Sequence, residues 1–441
     1  MRRLTKNQRS SIFLLQLGTF LEYFDLMLFV HMAVILNELF FPKTDPFTSS
    51  LLTAFAFCST FAFKPLGALL FGYIGDSIGR KHTVVITTMI MAFSCIVMAN
   101  VPTYAQIGIS ASWVMITCRA LQGMSSIGES VGAELYTAEL IDRPLKYKAV
   151  GYIGFAGVVG MVVSLMVAKI VLSVGINWRI IFWVGAVIAL IGSAARVTLR
   201  ESPDFSDATR KLRFMLESAN KDDSAIKDNP SYLEKVSKKT SLAYFLVFCG
   251  WPFCFYFSYV YCGGILKNQF HYTKEALIYH NFIVSLFNLA GLFIFIRLTE
   301  IIHPLIILKA KLAIYIPFIL IVPFLLTYTH SELIMIIIQI VGVVFGNSTI
   351  PAKAVFLMHF PIFKRFRYAS FITALSHITL YIATSFGLVY ATDFFGKYGI
   401  FLISIPSTLA FLIGLLHFEK LEKQAGEYHN FPKNLNKIDL Y

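Results

Sequence analysis

Charged side chains are scarce in this chain. Asp, Glu, Lys and Arg together make up 14% of its 441 residues, against roughly a quarter in an ordinary soluble domain. That shortage excludes a large water-exposed surface. Acids are scarcer than bases, 25 against 38, which leaves a formal net charge of +13. No soluble segment gathers those bases into a track for phosphates, so nucleic acid is excluded as a partner. The six cysteines (Cys58, Cys95, Cys118, Cys249, Cys254, Cys262) lie in or beside apolar runs. They show neither paired zinc spacing nor an extracellular framework and read as buried fillers. A phosphate-binding loop, an H-E-x-x-H zinc motif and a dinucleotide fingerprint are all missing, so neither a cofactor nor a metal is expected.

What the chain has instead is apolar length. Hydrophobic residues make up 57% of it, and the mean hydropathy is +0.68. They cluster in runs of about 20 or more, the length a helix needs to cross a bilayer. Spans are predicted at 11–40, 49–74, 83–101, 110–138, 148–174 and 179–199, then at 241–266, 276–298, 305–327, 331–358, 368–391 and 399–418. The fold class is therefore an all-α polytopic membrane protein of twelve transmembrane helices, arranged as two six-helix bundles. The halves take residues 1–199 and 241–418, joined by a polar linker at 200–240 and followed by a tail at 419–441. The start "MRRLTKNQRSSIFLLQLG" mimics a signal peptide, but its apolar run continues to about residue 40 without a small-residue cleavage site and reads as a retained first span. Alternate loops collect Lys and Arg, among them Arg2, Arg3, Lys6 and Arg9, then Arg80 and Lys81, then Arg143, Lys146 and Lys148. The intervening loops are poor in both, which predicts that both termini face the cytoplasm.

The loop after the second span reads "FGYIGDSIGRKHT" at 71–83. By pattern alone, Gly75 to Gly79 satisfies G-x-S-x-G, with Ser77 as a hydrolase nucleophile. That motif needs a strand–turn–helix context and a soluble α/β domain to present the serine, and neither is predicted. The other reading is a tight turn in which glycines allow close helix approach, Asp76 caps a helix end, and Arg80 and Lys81 hold the loop in the cytoplasm.

The string resembles the G-x-x-x-D-x-x-G-R-K loop of the major facilitator superfamily. The resemblance implies a charged latch that shuts the cytoplasmic face in one conformation, built on Gly72, Gly75, Asp76, Gly79, Arg80 and Lys81. "GTFLEYFD", "FKPLGALLFGYIGD", "RALQGMSSIGE" and "RESPDF" resemble motifs of the metabolite:proton symporter branch. "FFPKTDP" and "TYAQIGI" are similar to its bacterial proline/betaine transporters. The likeness implies a multi-pass protein of a bacterial cytoplasmic (inner) membrane. The chain also departs from the pattern: Lys64 stands where the branch usually has Arg, and Ile127 replaces a Gly. The second-half copy of the loop, "RLTEIIHP" at 297–304, is unrecognisable. "HFPIFKRFRY" at 359–368 is similar only in outline, and the tail lacks coiled-coil heptads.

Five charges are predicted inside the membrane. At 1.5 Å per residue Glu22 lies about 15 Å deep and Lys64 about 18 Å; Glu129 lies about 15 Å closer to the cytoplasm than Arg119, and with Asp25 the five are read as lying at similar depths. Glu22 and Asp25 share a helix face. An intramembrane charge costs roughly 2.5–3.5 kcal/mol on insertion scales and so faces a cavity or a partner. Two close carboxylates cannot easily both ionise there, which makes Glu22, Asp25 and Glu129 candidate proton sites, with the carrier among them left open. Lys64 or Arg119 either tunes that proton or binds a substrate carboxylate. Resemblance links Arg119 and Gln122 to proton coupling. Trp251 and Tyr256 could present aromatic faces to a quaternary ammonium. Lys353 and His377 carry weaker signals, and Gly151, Gly154, Gly157 and Gly160 predict close packing of the fifth span.

The resulting expectation is a monomeric, proton-coupled symporter, not an enzyme, whose partners are a small-molecule substrate, protons and the lipid bilayer. A zwitterion of the proline/betaine kind is preferred as substrate; a di- or tricarboxylate such as 2-oxoglutarate or citrate is the alternative. Rivals from other classes are a non-transporting receptor and a membrane-embedded hydrolase using Ser77.

Overall fold

A computed structural model describes residues 5–41, 61–174, 177–197, 199, 201–202, 206–211, 234–328 and 331–429. Cys58, most of "FFPKTDP" and most of the central linker fall outside the described residues.

The first half contains α1 (Lys6–Phe40), α2 (Lys64–Ser77), α3 (Arg80–Asn100), α4 (Ile109–Leu140), α5 (Leu145–Val174) and α6 (Arg179–Val197). The second contains α7 (Lys238–Gln269), α8 (Lys274–Leu298), α9 (Pro304–Tyr328), α10 (Glu332–Val344), α11 (Arg365–Ile382) and α12 (Phe401–Gln424). No strand occurs among the described residues. The all-α polytopic architecture expected from the apolar runs is the one observed.

Two runs fold differently from a plain span. The run at 331–358 is broken: α10 stops at Val344, and the chain resumes through a 3-10 turn Ile350–Ala352 into a short helix Lys353–Met358. Pro351 has no N–H to donate, so a helix running unbroken through it would lose one of its hydrogen bonds. The intervening Asn347 is held by Thr408 on α12 at 3.3 Å and by Cys254 on α7, also at 3.3 Å. Helix α7 contains a π-turn at Tyr256–Tyr261, which changes the face its later residues present.

The distribution of polarity is that of a membrane protein. Leu66, Leu69, Leu70 and Tyr73 on α2, and Trp183, Val187, Leu190 and Ile191 on α6, are exposed, while Glu22, Asp25, Arg80, Arg119 and Arg196 are buried. An apolar exterior over a charged interior is favourable only against lipid.

The halves meet along two seams, α2 against α11 and α5 against α8. Glycines set the spacing. A Cβ on Gly72 would lie 2.6 Å from the Cα of Arg367, and one on Gly151 would lie 2.9 Å from the Ile296 side chain. Within the first half, Gly160 brings α5 onto the backbone of α1 at Phe20. Gly160→Val is therefore expected to destabilise the protein by about 1–3 kcal/mol through overpacking. Gly192→Val on α6, which faces open space, should leave the melting midpoint in detergent unchanged. Equal midpoints for the two variants would contradict the α1–α5 contact.

Candidate functional site

Glu22 and Asp25 project from one face of α1, but each meets its own base. Glu22 Oε1 lies 3.7 Å from Lys64 Nζ on α2, and Asp25 Oδ2 accepts from Arg119 Nη1 on α4 at 2.9 Å. Arg119 also donates to Gln122 Oε1 at 2.8 Å, and the Cys95 thiol on α3 approaches Asp25 at 3.8 Å. Lys64 sits 5.1 Å from the centre of the Phe61 ring. The expected dyad of two carboxylates sharing one proton is thus replaced by two ion pairs. Glu22, Asp25, Lys64, Arg119 and Gln122 all line one small cavity.

Glu129 is not brought to that cavity. It lies seven residues beyond Gln122 on α4, about 10 Å further along the axis. There it pairs with Arg196 of α6 and accepts from Thr87 at 3.2 Å and Thr88 at 2.6 Å on α3. Arg196 also bonds Thr88 and donates to the carbonyls of Leu14 at 2.9 Å and Leu15 at 3.0 Å on α1. One buried guanidinium thus joins α1, α3, α4 and α6. Arg196 was not singled out in the sequence because it falls three residues from the end of a span, where an arginine ordinarily reaches for the interface.

A second, larger cavity lies between the halves. Glu22 and Lys64 line it from the first half, while Trp251, Thr349, Lys353 and His377 line it from the second. Lys353 Nζ is 2.5 Å from Glu134 Oε1 on α4, so this ion pair spans the cavity from one half to the other. The break in α10 makes this placement possible, since it turns Ser348, Thr349 and Lys353 towards the cavity. Tyr256, expected beside Trp251, packs elsewhere. It lies five residues on, about 140° around a helix, and its hydroxyl reaches the Ser385 carbonyl at 3.5 Å.

At the end of the bundle where α1 begins and α12 finishes, the halves are bolted together. Asp76 accepts from the backbone N–H of Phe366 at 3.1 Å and of Arg367 at 2.9 Å. These are free donors in the first turn of α11, so Asp76 caps a helix of the opposite half rather than its own. Arg80 is fully buried. It reaches Asp76 at 3.4 Å, Glu139 at 3.2 Å, and the carbonyls of Gly75 at 2.6 Å and Ile362 at 2.8 Å. Glu139 also accepts from Arg365 at 3.1 Å and from Ser202 at 2.6 Å. Gly79 has φ 133°, a conformation that needs glycine, and an added Cβ there would meet Glu201. Lys81 contributes a backbone N–H to Glu201 at 3.3 Å.

The eroded second-half loop holds as well. Glu300 pairs with Lys148 of α5, and Glu422 meets Arg143 at 3.2 Å, His303 at 3.2 Å and His359 at 2.9 Å.

The helices of the two halves, joined at one end, thus enclose cavities lined with paired charges. The chain belongs to the Major Facilitator Superfamily, whose sequence profile matches residues 12–387. It is 29% identical over 280 residues to the proline/betaine transporter of Salmonella typhimurium, covering 60% of this chain and 54% of that one. It is 32% identical over 213 residues to the glycine betaine/proline/ectoine/pipecolic acid transporter of Dickeya dadantii, covering 46% of this chain and 42% of that one. The chain thus spans about half the length of the curated relatives it matches. The fold is that of the proton:xylose symporter XylE, with a TM-score of 0.73 at 18% identity over 94% of this chain and 99% of the other.

Proposed function

We propose that the protein is a proton-coupled symporter that imports a small zwitterionic or carboxylate metabolite, of the proline/betaine kind by preference, across a bacterial inner membrane. Residues 1–199 and 241–418 rock about the central cavity as two bundles, with both termini in the cytoplasm and the chain acting as a monomer. The observation that carries this reading is the pair of buried acid–base contacts, Glu22–Lys64 and Asp25–Arg119, lining a cavity inside the membrane. Charges that served packing alone could be replaced by apolar side chains at no loss. Paired charges beside a cavity can exchange partners with a proton or a substrate. The names of the relatives favour the zwitterion. Lys64 and Lys353 on one cavity would take carboxylates, as the alternative needs, only by leaving Glu22 and Glu134, which line it too. The non-transporting receptor draws less support, because the second half keeps contacts that close onto the first, Glu300 with Lys148 and Glu422 with Arg143.

The test is uptake into proteoliposomes from a panel of labelled amino acids, betaines and carboxylates, with and without an inward proton gradient. Saturable uptake driven uphill by the gradient is expected. Saturable uptake indifferent to the gradient would overturn proton coupling.

A further inference from the structure

We infer that Glu134 and Lys353 form the recognition pair for the substrate and that together they select a zwitterion, its carboxylate taken by Lys353 and its ammonium by Glu134. The inference rests on the reading of the central cavity as the transport site, and it names the class of molecule that fits there.

The pair has three properties that suit this role. It joins the halves within the cavity, 2.5 Å from Nζ to Oε1, whereas the contacts of Asp76, Arg80, Glu139, Glu300 and Glu422 join them at one end of the bundle. Its members stand on opposite halves, Glu134 on α4 and Lys353 at the start of the helix that follows the break in α10, so a molecule inserted between them touches both bundles at once. Both residues also line the cavity beside Trp251. An indole on the lining, such as Trp251, gives a cation a π-face to rest on and suits a quaternary ammonium as readily as a protonated amine.

Charge balance then sets the class. Glu134 and Lys353 neutralise each other in the closed cavity, and the side chains are only 4% and 15% exposed. A zwitterion that separates them leaves each with an opposite charge. A simple anion satisfies Lys353 and strands Glu134, and a simple cation does the reverse. A stranded charge in so buried a position is strongly unfavourable. Glu22 and Lys64, 3.7 Å apart on the same cavity, are a second matched pair of charges and add no net charge for a second carboxylate. Sequence spacing gives no hint of the pair, whose members lie 219 residues apart.

Isosteres isolate the charge from the shape. Glycine betaine has an anionic isostere, 3,3-dimethylbutyrate, and a cationic counterpart, choline; proline has cyclopentanecarboxylate and pyrrolidine. In counterflow with the wild-type protein in proteoliposomes, the zwitterion of at least one set is expected to compete at least about tenfold better than its anion and its cation. Glu134→Gln should erase the advantage over the anion, and Lys353→Gln the advantage over the cation. The wild-type comparison needs no variant to fold, and anion competing as well as zwitterion there would overturn the inference. Folded Glu134→Gln protein that keeps the wild-type preference would overturn it too. The two readings fail separately. A carboxylate accumulated by the gradient while zwitterions are ignored defeats the recognition pair and leaves symport standing. Zwitterion selectivity without any response to the gradient defeats proton coupling and leaves the pair.

Discussion

Glu22→Gln and Asp25→Asn are expected to abolish proton-driven accumulation while counterflow of substrate continues. One pH unit across the membrane is worth about 1.4 kcal/mol per proton, so it supports about tenfold accumulation for one proton per substrate. In each variant that ratio should fall towards one. The amides are chosen because they keep the shape and one acceptor for Lys64 or for Arg119 and Gln122, while removing the group that titrates. The buried bases then lose their counter-charges, so some slowing of counterflow is expected as well, and accumulation should suffer far more than exchange. The measurement is the steady-state ratio of labelled substrate inside to outside, set against counterflow in the same vesicles. Wild-type accumulation in both variants would leave these acids as packing charges. Glu129→Gln serves as the contrast. Its partner Arg196 and its distance from the cavity predict a loss of stability in place of a selective loss of coupling.

Arg196→Leu is expected to destabilise the first half by about 3–5 kcal/mol, the usual consequence of stranding one member of a buried ion pair. It would leave Glu129 without its counter-charge and remove the donor that Arg196 supplies to the Leu14 and Leu15 carbonyls and to Thr88. The double variant Arg196→Leu with Glu129→Leu removes both charges and should recover part of that loss. Denaturant or thermal unfolding in detergent would measure the cycle for both single variants and the pair. Strictly additive losses would mean that the two side chains do not sense each other.

These two experiments probe parts of the molecule that were unequally legible in the sequence. Span number and order follow from apolar run length, because crossing lipid imposes a length that composition alone reveals. The buried charges were also legible as such, since a rise of 1.5 Å per residue converts position into depth. Depth says nothing of which neighbour a side chain meets. Glu22 and Asp25 share a face and yet find different bases, on α2 and α4. Glu129, placed in the same group by rough depth, belongs two turns further along with Arg196. Glu134 carried no local signal and Lys353 only a weak one, because their meeting depends on how one half seats on the other. Trp251 and Tyr256 were separated by helix rotation, and the break in α10 by Pro351 acting together with contacts to α7 and α12. Local rules reach as far as one helix; packing decides the rest.

The contact between Asp76 and α11 uses only main-chain donors. It recognises the beginning of a helix, whatever side chains that helix carries. Any residue with an N–H at positions 366 and 367 can complete it, and among the common amino acids proline alone cannot. Asp76 must therefore be kept, while as far as this contact goes the side chains at 366 and 367 are free to drift. Arg365, one residue earlier, is not, because its guanidinium reaches Glu139 of the other half.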